Sequence, residues 1–157
     1  MGLQEFPSID IVLDETRRTL DSQFQQIDSL DTKSGIVLGI AGVVLTLLIT
    51  SMFGQTSNII HSWLIRLALI PIILSLFMSF VSISIRRWKR PPDLERLWSH
   101  YKSQAAEETK LELIKVSKKS VEDNEKNIVQ KGRFLKTSYF VLAAGLVILV
   151  VWVALLW

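Results

Sequence analysis

The 157-residue chain has no cysteine, only two histidines, four prolines and seven glycines. Without cysteine there is neither a disulfide nor a thiolate metal site, and the redox state of the compartment leaves no mark. The two histidines, His61 and His100, fall on opposite sides of the membrane inferred below and cannot share a metal. No HExxH, GxSxG or Walker sequence occurs, and no glycine-rich loop that would cradle a phosphate. Glu107, Glu108 and Glu112 read as solvated groups on a charged helix. No enzymatic activity and no cofactor are therefore expected. The first residues, MGLQEFPSIDIVLDE, are acidic and lack the basic and apolar regions of a secretory signal. Position six is Phe, which argues against myristoylation.

Charge is also missing, in three long blocks. From Ser34 to Phe53, from Leu67 to Ile85 and from Thr137 to Trp157 there is no Asp, Glu, Lys or Arg. About 20 apolar residues at 1.5 Å each cross a hydrocarbon core ~30 Å thick. The expected fold is therefore an all-α membrane protein with three transmembrane helices. The expected divisions are an amphipathic N-terminal helix over 1–34, spans over 35–53 and 67–85, a connecting loop over 54–66, a basic helical linker over 86–136, and a third span over 137–157.

The N-terminal helix can be capped by Ser8 and repeats Leu13, Leu20 and Ile27 at sevens, with Phe24 and Leu30 on the same side. In the 54–66 connection, His61 and Trp63 suit a membrane interface. Pro71 is expected either to kink the second span or to occupy its N-terminal turn. After Arg86, the pair Pro91-Pro92 turns the chain and Asp93 can cap a new helix. Along the linker, Ile114, Val121, Ile128 and Leu135 repeat every seven residues, but Asn124 and Lys131 interrupt the seam. That pattern fits a docked helix better than a coiled coil.

Three Lys or Arg residues lie in 1–34, one in 54–66 and fourteen in 86–136. Basic residues collect in cytoplasmic loops. The N-terminus and the linker are thus expected in the cytoplasm, and the 54–66 loop and the C-terminus outside, in a multi-pass protein of the cell inner membrane. The acidic N-terminal helix and the basic linker share a membrane face and are expected to dock.

Three groups of residues are candidates for function. Gly35, Gly39, Gly42, Thr46 and Thr50 form one helical face, and Ser75, Ser79 and Ser82 form another. Either stripe can pack helices closely or line a pore, and packing is the commoner use. Asp31 and Lys33 can form a charged cytoplasmic mouth in an oligomer or pair with Glu122 or Lys131. The plainer alternative is that Asp31 caps the span while Lys33 snorkels. Arg86, Arg87, Lys89 and Arg90 can contact anionic lipid headgroups or a nucleotide, although such a cluster beside a span is by default a topology signal. Trp88 and Trp98 read as interface or packing residues, and no nucleic-acid partner is expected.

Asp31-Thr32-Lys33-Ser34 before a first span holding Gly39 and Gly42, then RRWKRPPDLERLW after a second, and Asn127 to Lys136 feeding a third, resemble the SLATT and Pycsar-type small transmembrane effectors. That resemblance implies a role in bacterial antiviral defence: assembly in the inner membrane and damage to it on an infection signal, often a nucleotide made by a partner enzyme. No appended nucleotide-binding domain is apparent, which would leave sensing to the linker or to a separate protein. The expected function is a homo-oligomeric effector that perturbs or permeabilises the bilayer. The alternative is a non-conducting anchor or adaptor that presents its cytoplasmic helices to a partner. A selective channel would be expected to use charged rings or exposed carbonyls, and neither of the first two spans carries an intramembrane acid or base.

Overall fold

The computed structural model describes residues 8–54, 59–85, 88 and 105–155. Among them the chain is all-helical: α1 runs Ile9–Gly54, α2 Ile59–Ser84 and α3 Ala106–Ala154. Each is long and apolar enough to cross a membrane. Their 46, 26 and 49 residues correspond to roughly 70, 40 and 70 Å of helix, so α1 and α3 are much longer than a bilayer core is thick.

The N-terminal helix and the first span are one element. No proline falls between Ser8 and Gly54, and the glycines at 35, 39 and 42 do not break the helix. Each costs only about 1 kcal/mol against alanine, whereas an opened turn in hydrocarbon would leave backbone N–H groups without partners. The connection expected over 54–66 is likewise helical from Ile59, since IIHSWLIR holds no glycine or proline to stop it. Pro71 consequently lies well inside α2 and not in its first turn. The linker and third span are continuous from Ala106, where Glu107 and Glu108 in the first turn suit the positive end of the helix dipole.

The chain divides into two compact units, residues 1–27 with 87–128, and residues 28–86 with 129–157. In the first unit, α1 and α3 run parallel. Lys110 Nζ lies 2.6 Å from an Asp10 carboxylate oxygen, and Gln23 Nε2 donates to the Val121 carbonyl at 3.0 Å. The acidic helix and the basic linker thus meet, as their charges suggested, although an exposed pair of this kind contributes only ~0–1 kcal/mol. An open apolar groove of about 460 Å³ is lined by Ile11, Val12 and Thr16 of α1 and by Ile114 and Val121 of α3.

In the second unit, α2 runs antiparallel to α1 and α3. Along each helix, through both units, buried residues recur every seven positions: Leu20, Ile27, Ser34, Ala41 and Leu48 along α1, and Ile65, Ile72 and Ser79 with Ala68, Ser75 and Ser82 along α2. Along α3 the series is Ser117, Asn124, Lys131, Ser138, Gly145 and Trp152. A seven-residue repeat is the period of coiled-coil packing. The linker therefore does carry a heptad seam, with Asn124 and Lys131 as its buried positions and not as interruptions. Val37, Ala41, Leu48, Ile65, Ile72, Leu135, Leu142 and Trp152 form the apolar core.

The outer surface of this unit reverses the usual contrast. Val43, Leu47, Ile70, Phe77, Phe140 and Val150 are exposed, while Ser34, Ser75, Ser79, Ser82 and Ser138 are fully buried. Lipid is as apolar as leucine and gives no drive to bury it, so small residues and internal hydrogen bonds hold such helices together. The chain is a multi-pass membrane protein.

Candidate functional site

Two polar layers lie inside the three-helix unit, and serine is their common currency. In the deeper layer, Ser138 of α3 meets Ser75 and Ser79 of α2. Ser138 Oγ lies 2.9 Å from the Ser75 carbonyl, Ser75 Oγ lies 3.0 Å from the Ser138 carbonyl, and Ser79 Oγ lies 2.6 Å from Ser138 Oγ. Each hydroxyl has one proton. One arrangement satisfies all three: Ser138 and Ser75 each donate to the other's carbonyl, and Ser79 donates to Ser138 Oγ. Replacing Ser138 by alanine removes a donor and an acceptor at once. The expected loss is about 1 kcal/mol, read as a lower unfolding midpoint in mixed detergent micelles.

The outer layer joins all three helices. Ser34 Oγ is 3.0 Å from Ser82 Oγ, and Ser82 Oγ donates to the Lys131 carbonyl at 3.3 Å. With Ser82 donating onward, Ser34 is the donor to Ser82. Beside them the Lys131 ammonium is in direct contact with an Asp31 carboxylate oxygen; the lysine side chain is wholly buried and that of Asp31 is 38% exposed. A lysine without solvent access is tolerated only where a carboxylate accompanies it.

The candidate residues separate accordingly. Asp31 turns inward to Lys131, while Lys33 is exposed on another face of α1. Ser75, Ser79 and Ser82 all face inward and are occupied by partners on α1 and α3. The glycine and threonine stripe of α1 does the opposite. Gly35, Gly39, Thr46 and Thr50 are exposed and Gly42 is half-buried. A methyl group added at Gly35, Gly39 or Gly42 would meet nothing within 4 Å. The threonine hydroxyls are satisfied within their own helix, Thr46 donating to the Gly42 carbonyl and Thr50 to the Thr46 carbonyl, both at 2.9 Å. Arg86, Arg87, Lys89 and Arg90 lie outside the described residues.

Ser138 and Gly145 escape a reading of the sequence that counts apolar residues. Their signal is spacing, since both stand on the seven-residue series through Lys131. At Gly145 an added Cβ would sit 2.9 Å from Ile72 Cγ1 and 3.3 Å from the Pro71 ring. Here α2 and α3 make a close approach that glycine permits and any Cβ would crowd.

No curated protein and no solved structure matches the chain. The family model described as the Pycsar effector protein domain matches residues 15–157, and the chain belongs to that family of transmembrane effectors in antiviral defence.

Proposed function

We propose that the protein is an inner-membrane effector that self-associates through the outer face of α1 and, once assembled, perturbs or permeabilises the bilayer during antiviral defence. The observation that supports this most is the open space around Gly35, Gly39 and Gly42. Glycine in a helix interior is unfavourable by about 0.5–1 kcal/mol relative to alanine. Three along one face, unused by the helices of their own chain, suit a partner helix from a second copy. Small-residue faces allow such backbones to approach closely. Because Thr46 and Thr50 satisfy their own hydroxyls, the same face tolerates lipid before assembly.

The distribution of Lys and Arg favours both polar arms in the cytoplasm and the C-terminus outside. A nucleotide signal or a cytoplasmic protein partner would then be received by those arms, with Arg86, Arg87, Lys89 and Arg90 available to an anion. Kinship with SLATT proteins has support only from Asp31-Thr32-Lys33-Ser34. The absence of any recognisable catalytic grouping in the sequence supports a non-enzymatic mode of action.

Gly39→Leu and Gly42→Leu test the proposal. High-level expression of the unaltered protein should depolarise cells, and each leucine variant should abolish that effect. Fold stability should stay within about 0.5 kcal/mol, as for surface positions generally, while the particle mass in detergent falls toward that of one chain. Variants that still depolarise cells would exclude this face as the site of assembly.

The adaptor reading has one observation in its favour, the apolar groove between Ile11, Val12, Ile114 and Val121, which offers a surface to a helix of another protein. An adaptor would leave membrane potential untouched at any expression level, and deletion of residues 93–130 would remove its activity without preventing insertion.

A further inference from the structure

We propose that the layer of Asp31, Lys131, Ser34 and Ser82 is a latch that keeps the membrane-spanning unit closed in the quiescent protein, and that its release is the step that permits activity. The proposal rests on the effector reading above and adds to it the contact that must open.

A layer chosen only for stability would not contain these residues. Replacing a buried ion pair by apolar groups of similar volume is often neutral or stabilising, because desolvation offsets most of the Coulombic gain. What a charged, directional layer adds is dependence on a single geometry. Lys131 contacts Asp31, Ser82 donates to the Lys131 backbone, and Ser34 bonds Ser82, so a small rotation of any one helix disturbs all three.

The layer also has an open state within reach. The Asp31 side chain is 38% exposed although the oxygen that meets the ammonium is buried, so water can follow as the ammonium withdraws. Ser34 begins the uncharged run of α1, and Lys131 lies six residues before that of α3. A released lysine can therefore extend its stem toward the polar boundary of the membrane and keep its charge hydrated. Two discrete packings of one layer, separated by a modest free energy, are what a switching element requires. The deeper serine layer has no charged member and no exposed one, and it offers no such second state. α1 and α3 are unbroken from their polar arms into this layer, so a turn of either helix on signal reception moves the latch residues directly.

Because the chain has no cysteine, the layer can be both probed and locked by one engineered pair. The hydroxyls of Ser34 and Ser82 are 3.0 Å apart, which puts Ser34→Cys and Ser82→Cys within reach of a disulfide. The full chain carrying both is reconstituted into phosphatidylethanolamine–phosphatidylglycerol vesicles holding a potassium diffusion potential, with and without Asp31→Asn or Asp31→Glu. Asp31→Asn should slow disulfide formation by about five-fold or more, the lower end of ordinary coupling between two states, and should collapse the potential. Asp31→Glu should do neither. Vesicles loaded with the Asp31→Asn chain already oxidised at the cysteine pair should hold the potential, and reductant should collapse it.

Equal cross-linking with and without Asp31→Asn overturns the latch whatever the potential does. Slowed cross-linking in vesicles that stay polarised supports the latch and sinks the effector reading instead. If Asp31→Asn does not fold, the cysteine pair in the otherwise unaltered chain decides. Oxidation must then suppress the depolarisation caused by high-level expression, and a disulfide without effect on it overturns the proposal.

Discussion

Asp31→Asn is expected to destabilise the protein by about 3 kcal/mol, several times more than Lys131→Met, although the two substitutions break the same ion pair. Breaking a buried pair from one side costs about 3–5 kcal/mol because the remaining charge keeps its desolvation penalty. The penalty here is unequal. Lys131 is wholly buried, so Asp31→Asn takes the carboxylate away from an ammonium that the closed bundle shields from water. Lys131→Met leaves a carboxylate that is 38% exposed and can be hydrated where it stands. The methionine fills the vacated volume with a flexible apolar chain, so its expected cost is about 0–1 kcal/mol. Partial hydration of Asp31 in the native pair places the larger figure at the low end of its range. Reversible unfolding in mixed micelles, with increasing denaturing detergent, measures both. Equal losses for the two variants would mean that water already reaches Lys131 in the native state.

The same asymmetry explains what the sequence does and does not disclose. Three uncharged blocks with a basic linker between the second and third were sufficient for the all-α class and for the three membrane-length helices among the described residues. Asp31 could also be matched with Lys131 as one of two candidate partners. On α2 the inward face was legible from Ser75, Ser79 and Ser82, which do pack; on α3 and on the membrane-spanning part of α1 it was not, for a physical reason. In a soluble bundle the buried face is the apolar one, and periodicity of Leu, Ile and Val reveals it. In lipid the outward face is apolar as well, so that contrast is lost. The residues that turn inward on α3, Ser117, Asn124, Lys131, Ser138 and Gly145, are those a search for apolar repeats discards. On α1 the stripe of Gly35, Gly39 and Gly42 resembled a packing face and does not pack within its own chain, whereas Ser34 and Ala41, seven apart, lie buried on the other side. The extra helix from Ile59 and the continuity of α1 were hidden by the same habit of ending a helix where a hydrophobic run ends.

Gly145→Leu is expected to pry α2 from α3 and to abolish correctly packed protein, and Gly145→Ala shows why size decides the matter. An alanine Cβ at this position would lie 2.9 Å from Ile72 Cγ1 and 3.3 Å from the Pro71 ring. Neither neighbour yields easily: Ile72 is fully buried with a branched side chain, and the Pro71 ring cannot rotate away. Overpacking of this kind costs typically about 1–3 kcal/mol. Alanine recovers about 0.5–1 kcal/mol because glycine is the poorer helix former, so its net effect should be a modest loss. Leucine recovers no more from helix propensity and adds three further carbons to a site with no room for the first. Its cost should exceed the usual overpacking range. Hydrophobic burial cannot compensate, because in lipid the leucine is equally well solvated outside the bundle. The helices should therefore separate at this level, with loss of the Ser75–Ser138 and Ser79–Ser138 bonds one to two turns away. Limited proteolysis and detergent unfolding should show a graded loss from glycine through alanine to leucine. Ile72→Ala should partly restore the alanine variant by vacating the space its Cβ needs, and Gly145→Leu at native stability would show that α2 and α3 do not meet here.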